Sequence, residues 1–293
     1  MSVPQVPSRT VLVTGCSSGI GAATALFLRE AGWRVHPTAR KPDDLEALRG
    51  AGFSPIAMDV ADPAAVEAAV RDLLAQTGGS LGALVNNAGF CQAGAMEDVS
   101  RDALRAQFEV NLFGLHQLTR ALLPVFRSQG CGRIVNISSV FGRISAPMLG
   151  TYCASKFALE AISDALRIEL WNTGVWVALV EPGAILSRFR RNAAEALDRS
   201  IDRTRSGFGE VYAHEIERRR RQVKKADFFT RPPEEVARKI LHALESPRPR
   251  RRYPVTLPAH LAEWAVRFIP QAWTDPLLAR RVPARLPRPE GPR

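Results

Sequence analysis

A glycine-rich turn near the amino terminus constrains the fold more than any other feature of this 293-residue sequence. Residues 14–21 read TGCSSGIG; they follow an apolar run at 10–14 and open a helical pattern at 19–31. A strand that passes through such a turn into a helix directs free N–H groups, and the positive end of the helix dipole, at a phosphate. The residues expected to line this phosphate site are Gly15, Ser17, Ser18, Gly19, Ile20 and Gly21.

Apolar runs and helical patterns alternate along the first two thirds of the chain. Strand character is found at residues 10–14, 34–38, 54–60, 83–86, 132–137 and 175–180. Helical patterns cover residues 19–31, 64–76, 101–127 and 151–172. Because the strands are apolar on both faces, helices are expected to cover the sheet on both sides. The sequence therefore predicts an α/β fold, a single Rossmann-type doubly wound parallel sheet flanked by helices.

The pattern is less regular after residue 187. We expect a helix at 232–244 with Thr230 as its N-cap, and a last strand at 252–257, where Pro254 suits only an edge or bulge position. A further helix is predicted at 260–269. The apolar face of that helix, which we expect to pack on the body of the protein, carries Leu261, Trp264, Ala265 and Phe268.

These patterns predict a cofactor-binding and catalytic domain over residues 1–246, with a substrate loop at about 184–230. A basic extension follows at 247–293, and its Pro- and Arg-rich end, from about residue 282, is expected to be disordered.

The net charge of +11 comes entirely from the last third of the chain. Residues 188–293 hold 25 Lys and Arg against 13 Asp and Glu, whereas residues 1–187 hold 15 against 16. A solvated arginine-rich surface is the simplest interpretation, and attraction to an anionic lipid or an anionic substrate is the alternative. The basic stretches contain no interleaved aromatic residues and no nucleic-acid-binding motif, so a nucleic-acid partner is not expected.

The spacing of the cysteines and histidines bears on the cellular compartment and on whether the protein binds a metal. The four cysteines form no CxxC pair, and the first ten residues contain no apolar run typical of a signal peptide, which together predict a cytoplasmic location. No run of about 18 apolar residues is present, so a membrane-spanning helix is not expected. The five histidines show no ligand-like spacing, and we expect no metal.

The end of the second strand predicts NADP(H) as the cofactor. NAD-binding proteins usually place a carboxylate there to accept hydrogen bonds from the ribose 2′-hydroxyl. Here residues 35–39 are followed by Arg40 and Lys41, and no carboxylate is present to repel a 2′-phosphate. The planar guanidinium of Arg40 suits phosphate oxygens, and Ser17 or Ser18 could add a hydroxyl donor.

Ser139, Tyr152 and Lys156 carry the chemistry that we expect. Tyr152 and Lys156 are four residues apart, so they share one face of a helix. A nearby ammonium favours a phenolate, and Lys156 is therefore expected to lower the pKa of Tyr152, which exchanges a proton with the substrate oxygen. Ser139 follows the fifth strand and can stabilise charge on that oxygen, although Ser138 is an alternative.

In order along the chain, these motifs resemble those of the classical short-chain dehydrogenase/reductase family over residues 9–187. The resemblance implies that Asp59 and Val60 contact adenine, that Asn86, Ala88 and Gly89 lie beside the cofactor, and that Asn111 is a fourth catalytic residue. By the same resemblance the nicotinamide side of the cofactor is bound by Tyr152, Lys156, Pro182, Gly183, Ile185 and Ser187, where Ser187 replaces the usual Thr.

The resemblance implies direct hydride transfer between NADP(H) and a carbonyl carbon. The TGCSSGIG loop, Arg40, and residues 181–183 and 252–256 look closest to bacterial NADP-dependent aldehyde reductases and to 17β-hydroxysteroid and retinol dehydrogenases, which implies a small lipophilic aldehyde, ketone or alcohol as substrate. Family members pair through the helices near 101–127 and 151–172, so a homodimer is favoured over a tetramer.

Two other functions compete with this one. A non-catalytic NADP(H)-binding sensor or scaffold needs the glycines and Arg40 but not Tyr152. A family epimerase or dehydratase usually carries a larger carboxyl-terminal substrate domain than the about 45 residues that follow Leu244 here.

Overall fold

The computed structural model describes residues 3–209, 211–212 and 230–279. Seven strands form one sheet in the order β3-β2-β1-β4-β5-β6-β7, and every neighbouring pair is parallel. The strands are β1 (Thr10–Val13), β2 (Arg34–Ala39), β3 (Ile56–Ala57), β4 (Ala83–Asn86), β5 (Gly132–Ile137), β6 (Val175–Glu181) and β7 (Arg252–Pro254). The chain builds outward from β1 to β3 and returns to place β4 on the other side of β1. The predicted doubly wound sheet is confirmed.

Helices connect the strands and cover the sheet. They are α1 (Gly19–Glu30), α2 (Pro42–Gly50), α3 (Pro63–Thr77), α4 (Arg101–Phe108), α5 (Gly114–Ser128), α6 (Gly150–Glu169), α7 (Phe189–Ser200), α8 (Pro233–Glu245), α9 (Leu257–Phe268) and α10 (Gln271–Ala279). A π-helical turn, Glu109–Phe113, joins α4 to α5, and single 3₁₀ turns lie at Val140–Gly142 and Arg203–Arg205.

Each central strand contributes side chains to two cores. In β1, Val11 and Val13 pack with α1, α2 and α8, whereas Leu12 packs with α3 and α5 on the opposite face. In β4, Leu84 likewise faces away from its neighbour Val85. All five side chains are fully buried. This double burial explains why the strands are apolar throughout, since parallel sheets are covered on both faces.

Several element boundaries differ from the sequence prediction. Helix α2 was not predicted because its nine residues bury only Leu45 and Leu48, too few to show helical periodicity. Strand β3 is shorter than predicted. The single helix expected at 101–127 is divided by the π-helical turn, which adds a residue to one turn of the helix. Thr230 is not the N-cap of α8, because Pro232 precedes that helix and no side chain caps it.

Strand β7 closes the sheet at one edge, where Pro254 lies opposite Glu181 and needs no ladder N–H. Arg252 forms ion pairs that connect this edge to α6 and β6. Its guanidinium contacts the carboxylates of Glu160 in α6, of Glu181 at 2.7 Å and of Asp164 at 2.5 Å. Glu160 and Glu181 are buried, so Arg252 supplies the positive charge that makes their burial tolerable.

Helix α9 does not bury the face that the sequence predicted. Leu261 and Phe268 were expected to pack on the body of the protein, but they are 57% and 61% exposed. The buried contacts come instead from Ala259 and Ala262, which pack against Val140. For Leu261 and Phe268 the prediction was wrong, because the side of α9 that meets Val140 carries the smaller Ala259 and Ala262. The side chains of Trp264 and Ala265 lie outside the described residues.

Among the described residues, no helix is long and apolar enough to cross a membrane. The basic stretch at 218–225 and the disorder expected from about residue 282 lie outside the described residues. The division of the chain at residue 246 stays a prediction.

A buried polar bridge joins the middle of the sheet to two helices that cover one of its faces. The Nδ2 of Asn86 donates to Asn136 Oδ1 at 2.8 Å and to Thr119 Oγ1 in α5 at 3.0 Å. Asn136 Nδ2 in turn donates to Ser163 Oγ in α6 at 2.8 Å. The bridge therefore links β4, β5, α5 and α6 through groups that have no access to water.

Replacing Asn136 with leucine tests this bridge. The similar volume leaves the packing intact but removes the acceptor at Asn136 for Asn86 and the donor at Asn136 for Ser163, so the free energy of unfolding should fall by about 2–4 kcal/mol. Urea denaturation measures the change. The control is Ser128→Ala, which removes an exposed hydrogen bond at the end of α5 and should cost less than about 0.5 kcal/mol. Equal effects of the two substitutions would contradict a structural role for the bridge.

Candidate active site

The glycine-rich turn leaves β1 at the carboxyl edge of the sheet. Gly15 and Gly19 have φ of +71° and +60°, a backbone conformation that glycine adopts without strain. A Cβ at Gly15 would lie 2.9 Å from the Cα of Ala88, and one at Gly19 would lie 3.0 Å from the Cβ of Ser187. The turn is therefore held between two other loops of the site, and its backbone remains uncovered by side chains.

The first turn of α1 is suited to an anion. Its N-cap residue, Ser18, makes no side-chain capping hydrogen bond, and the turn contains no acidic residue. Ser17 is exposed beside it. The amino-terminal N–H groups of the helix consequently keep their capacity to bind phosphate oxygens. The described residues fit the pyrophosphate of a dinucleotide here.

Thr14 and Asn87 hold the turn in place. The Thr14 hydroxyl accepts hydrogen bonds from the backbone N–H of Asn87 at 2.9 Å and of Ala88 at 2.8 Å. Asn87 Nδ2 donates back to the carbonyls of Thr14 at 2.8 Å and Gly15 at 3.1 Å. The sequence analysis assigned no role to either side chain, although both are short polar residues at the exits of buried strands.

Ser139 and Ser138 point to different parts of the structure. Ser139 Oγ donates to the carbonyl of Pro182 at 3.5 Å and accepts from the N–H of Phe141 at 3.2 Å. It also lies close enough to the Tyr152 hydroxyl to oppose the rise in the pKa of that phenol. The hydroxyl of Ser138 has no hydrogen-bond partner, and it faces Gly142. Between these two alternatives, the structure places Ser139 beside Tyr152.

Tyr152 and Lys156 lie on one buried face of α6. The ammonium nitrogen of Lys156 is 5.8 Å from the centroid of the Tyr152 ring and donates to the carbonyl of Ile137 at 2.7 Å. Both side chains are at least nine-tenths buried. The carboxyl end of β5 therefore fixes Lys156, because Ile137 is the last residue of that strand.

Burial sets the proton affinities of these two groups. It lowers the pKa of Lys156 from its ordinary value of 10.5 to about 8, although the attraction of Glu160 opposes the change. Burial also raises the pKa of Tyr152, and the hydrogen bond with Ser139 only partly opposes this. On balance the pKa of Tyr152 is therefore raised and not lowered as expected, since loss of hydration outweighs the other influences. The separate effect of Lys156 on Tyr152 stays a prediction.

Asn111 lies within the π-helical turn and is fully buried. Its Nδ2 donates to Ser155 Oγ and to the Phe90 carbonyl, both at 3.1 Å, and its Oδ1 accepts from the Phe90 N–H at 3.0 Å. Ser155 immediately precedes Lys156 in α6. Asn111 thus joins the turn after β4 to the helix that carries Tyr152 and Lys156.

Arg40 and Asp59 meet where β2 and β3 end. The Arg40 guanidinium is 65% exposed and lies 3.8 Å from a carboxylate oxygen of Asp59. The other oxygen of Asp59 accepts a hydrogen bond from the N–H of Ala61 at 3.0 Å. Val60 beside it is buried. The guanidinium therefore faces solvent at the same edge of the sheet as the glycine-rich turn.

The loop after β6 reaches the same edge. A backbone bridge pairs Ile185 with Arg231, and Ser187 Oγ accepts a hydrogen bond from the N–H of Phe189 at 3.3 Å. Gly183 packs against the side chain of Thr256, and the carbonyl of Pro182 accepts from Val140 at 3.0 Å. These contacts set the start of the substrate loop directly over Tyr152.

Aromatic rings bracket Tyr152, a feature that the sequence did not reveal. The ring of Phe189 lies 5.5 Å from the Tyr152 ring, and that of Phe141 lies 6.4 Å away, both edge-on. Neither residue belongs to a periodic pattern. Their positions just after Ser187 and Ser139 are the one sequence signal that could have identified them.

The structure thus brings the predicted site residues to one edge of the sheet, but the side chain of one of them does not face the site. The side chain of Asn86 is committed to the buried bridge below the site. The remaining residues lie at the carboxyl ends of β1 to β6, or on α1, the π-helical turn and α6 beside them, at the edge where ligands bind in open parallel sheets.

A family model described as short chain dehydrogenase matches residues 9–198. The chain belongs to the short-chain dehydrogenase/reductase family.

Three relatives span nearly the whole chain. The uncharacterized oxidoreductase YbbO of Escherichia coli (strain K12) is 41% identical over 279 residues, which cover 94% of this chain and 95% of YbbO. An NADPH-dependent 3-dehydrocapnine reductase of Ornithobacterium rhinotracheale is 34% identical, covering 91% and 95%. Human retinol dehydrogenase 16 is 34% identical, covering 92% and 87%.

Two solved structures extend the comparison to cofactors. A short chain dehydrogenase/reductase from Burkholderia phymatum in complex with NAD has a TM-score of 0.75 at 26% identity, covering 99% of both chains. A short chain dehydrogenase from Burkholderia cenocepacia in complex with NADP has a TM-score of 0.72 at 25% identity, covering 96% of this chain and 100% of that one. The present short-chain dehydrogenase/reductase is accordingly an NAD(P)-dependent oxidoreductase.

The buried Lys156 of this enzyme should make its stability depend on pH. Between the folded pKa of about 8 and the ordinary value of 10.5, the unfolded chain binds more protons than the folded chain. The free energy of unfolding should therefore rise with pH, by about 2 kcal/mol from about pH 8 to about pH 10. The same measurement on Lys156→Met isolates the contribution. Parallel pH profiles for the two proteins would show that Lys156 is not desolvated.

Proposed function

We propose that this enzyme interconverts a lipophilic aldehyde or ketone and its alcohol, with NADP(H) as cofactor. The observation that carries the proposal is the contact of the Tyr152 phenol with the Ser139 hydroxyl, on the same helix face as the buried Lys156. Catalytic roles for Asn111, Ser139, Tyr152 and Lys156 are part of the proposal. NADP(H), when bound, supplies or accepts the hydride at the carbonyl carbon.

Tyr152 is the proton donor in the direction of carbonyl reduction. Its raised pKa keeps the phenol protonated at neutral pH, so it can transfer a proton to the substrate oxygen as negative charge develops there. The Ser139 hydroxyl donates a hydrogen bond to the same oxygen and stabilises that charge. Lys156 places a cation beside the phenol, and Asn111 holds the preceding turn of α6 through Ser155.

Three loops and the helix amino terminus would hold the cofactor. The glycine-rich turn binds its phosphates, and the segments after β3, β4 and β6 contact its adenine and nicotinamide ends. The proposed contacts are Gly15, Ser17, Ser18, Gly19, Ile20, Gly21, Arg40, Asp59, Val60, Asn86, Ala88, Gly89, Tyr152, Lys156, Pro182, Gly183, Ile185 and Ser187. Among these, Asn86 contributes its backbone and not its buried amide.

Preference for NADP(H) rests on Arg40. Its guanidinium is 65% exposed and its ion pair with Asp59 is long, at 3.8 Å, so the guanidinium can turn to a 2′-phosphate. The NADPH-dependent relative supports this assignment, whereas the NAD complex of a more distant relative shows that the fold accepts either cofactor.

A lipophilic substrate is supported by the surroundings of Tyr152. The residue belongs to an apolar cluster that includes Cys91, Met148 and Leu197 of α7. The Phe189 ring covers it from the substrate-loop side. A polar substrate would lose hydration in such a site without replacement, whereas an alkyl or ring substrate gains from burial. Retinol dehydrogenase 16 is named for a substrate of this chemical class.

A sensor or scaffold that binds NADP(H) without turnover is the alternative function. It would use the glycine-rich turn and Arg40 but would have no need for Ser139 and Tyr152 to share a hydrogen bond. That contact favours the enzyme.

A homodimer and a cytoplasmic location also remain proposals. Phe113, Phe157 and Ile168 are exposed on the two helices expected to pair, which supports a dimer. A monomer in sedimentation equilibrium would contradict it. Cell fractionation measures the location.

Oxidation of NADPH with straight-chain aldehydes of increasing length tests the function. Catalytic efficiency should rise by about threefold for each methylene that becomes buried. Tyr152→Phe should lower turnover by about 10²- to 10⁴-fold and leave NADPH affinity unchanged. Binding of NADPH without oxidation in the presence of any aldehyde or ketone would favour the sensor, and efficiency independent of chain length would contradict a lipophilic substrate.

Cofactor preference is tested by Arg40→Asp. The new carboxylate removes the phosphate partner and repels the 2′-phosphate, so the ratio of catalytic efficiencies with NADPH and NADH should fall by about 30-fold or more. Lys41→Ala is the control for loss of a neighbouring charge. A wild-type preference for NADH, or an unchanged ratio in Arg40→Asp, would contradict NADP(H) as the cofactor.

A further inference from the structure

Helix α9 has two apolar sides. Its inner side places Ala259 and Ala262 against Val140, the residue that follows Ser139, so the helix forms part of the wall behind the proposed catalytic serine. Its outer side carries Leu257 and Leu261, which are 54% and 57% exposed.

The outer residues form one stripe. Positions 257, 261 and 268 fall within about 40° of each other around a helix with 3.6 residues per turn. Phe268 is 61% exposed, and Trp273 in α10 is 75% exposed, the highest value among the large apolar side chains of the described residues. Scattered apolar residues on a surface are ordinary, but large exposed apolar residues that share one side of a helix indicate a binding surface.

Positive charge follows this stripe in the sequence. Residues 280–293, directly after α10, contain five arginines and one glutamate. Arg248, Arg250 and Arg251, which precede β7, are exposed as well. Apolar side chains on one side of a helix together with a cluster of arginines match the requirements of an anionic bilayer surface, where the apolar groups enter the acyl boundary and the cations meet phosphates.

We propose that the outer face of α9, with Trp273 of α10, docks on an anionic phospholipid bilayer. The helix lies in the plane of the surface, and Leu257, Leu261 and Trp273 enter the interfacial layer. Because the inner face of the same helix packs behind Ser139, docking brings the catalytic edge of the sheet close to the bilayer. The proposal concerns binding alone and stands independently of the substrate.

Charge favours a bilayer over a second copy of the chain. A two-fold contact through α9 would bring the same surface of two molecules together. Each molecule carries a net charge of +11, and like charges oppose the association of two copies, whereas they favour an anionic bilayer.

Flotation of the full-length protein with vesicles tests the proposal. The protein should float with vesicles of phosphatidylcholine that contain about 30% phosphatidylserine. A much smaller fraction of it should float with vesicles of phosphatidylcholine alone. The double substitution Leu261→Ser and Trp273→Ser should lower the bound fraction by about tenfold, since two large apolar groups no longer enter the interface.

Leu26→Ser is the matched control. Leu26 is 42% exposed on α1, away from the stripe, and its substitution should leave vesicle binding unchanged. Thermal unfolding verifies that all variants are folded. The proposal is overturned if the wild type does not float with anionic vesicles, or if the double variant floats as well as the wild type. It is also overturned if light scattering shows that the double variant turns a dimer into a monomer while neither protein binds vesicles.

Discussion

Parallel pairing of every strand is the constraint on which the rest of this structure depends. Since all seven strands run in the same direction, their carboxyl ends meet at one edge, and whatever follows each strand is delivered there. The glycine-rich turn contacts Ala88 after β4 and Ser187 after β6, and the segment after β5 contacts Pro182, so four strands contribute to one set of contacts. Residues more than 160 positions apart in the chain form one site without any loop having to cross the sheet.

Two polar side chains of the site lose their hydration when the protein folds. Lys156 and Tyr152 are both buried; Lys156 donates to the carbonyl of Ile137, and Tyr152 lies beside the Ser139 hydroxyl. Burying an ammonium costs free energy that burying a neutral side chain would not. Lys156 therefore lowers the free energy of unfolding of this fold. Other interactions of the fold offset this cost. Among them are the hydrogen bonds of the Asn86–Asn136 bridge, which fix β5 and α6 relative to each other.

Sequence patterns sufficed for the sheet and for most of the site because both depend on local rules. Apolar strands, a glycine turn and a tyrosine four residues before a lysine are visible along the chain. Three features depended on packing between distant segments and were not visible. These are the aromatic rings around Tyr152, the direction of the pKa change at Tyr152, and the outward orientation of Leu261 and Phe268. In each case the deciding contact joins residues from different elements, so no spacing rule describes it.

The ion pairs of Arg252 carry a consequence for the order of folding. Glu160 and Glu181 are synthesised about 70 to 90 residues before the arginine that neutralises them. Until β7 joins the edge of the sheet, a nascent chain that has already formed α6 and β6 would have to bury two carboxylates without their cation, which is unfavourable. Helix α6 carries Tyr152 and Lys156 as well as Glu160, and it reaches its final electrostatic environment only when the last strand is in place. The final environment of α6 is thereby coupled to the synthesis and docking of β7.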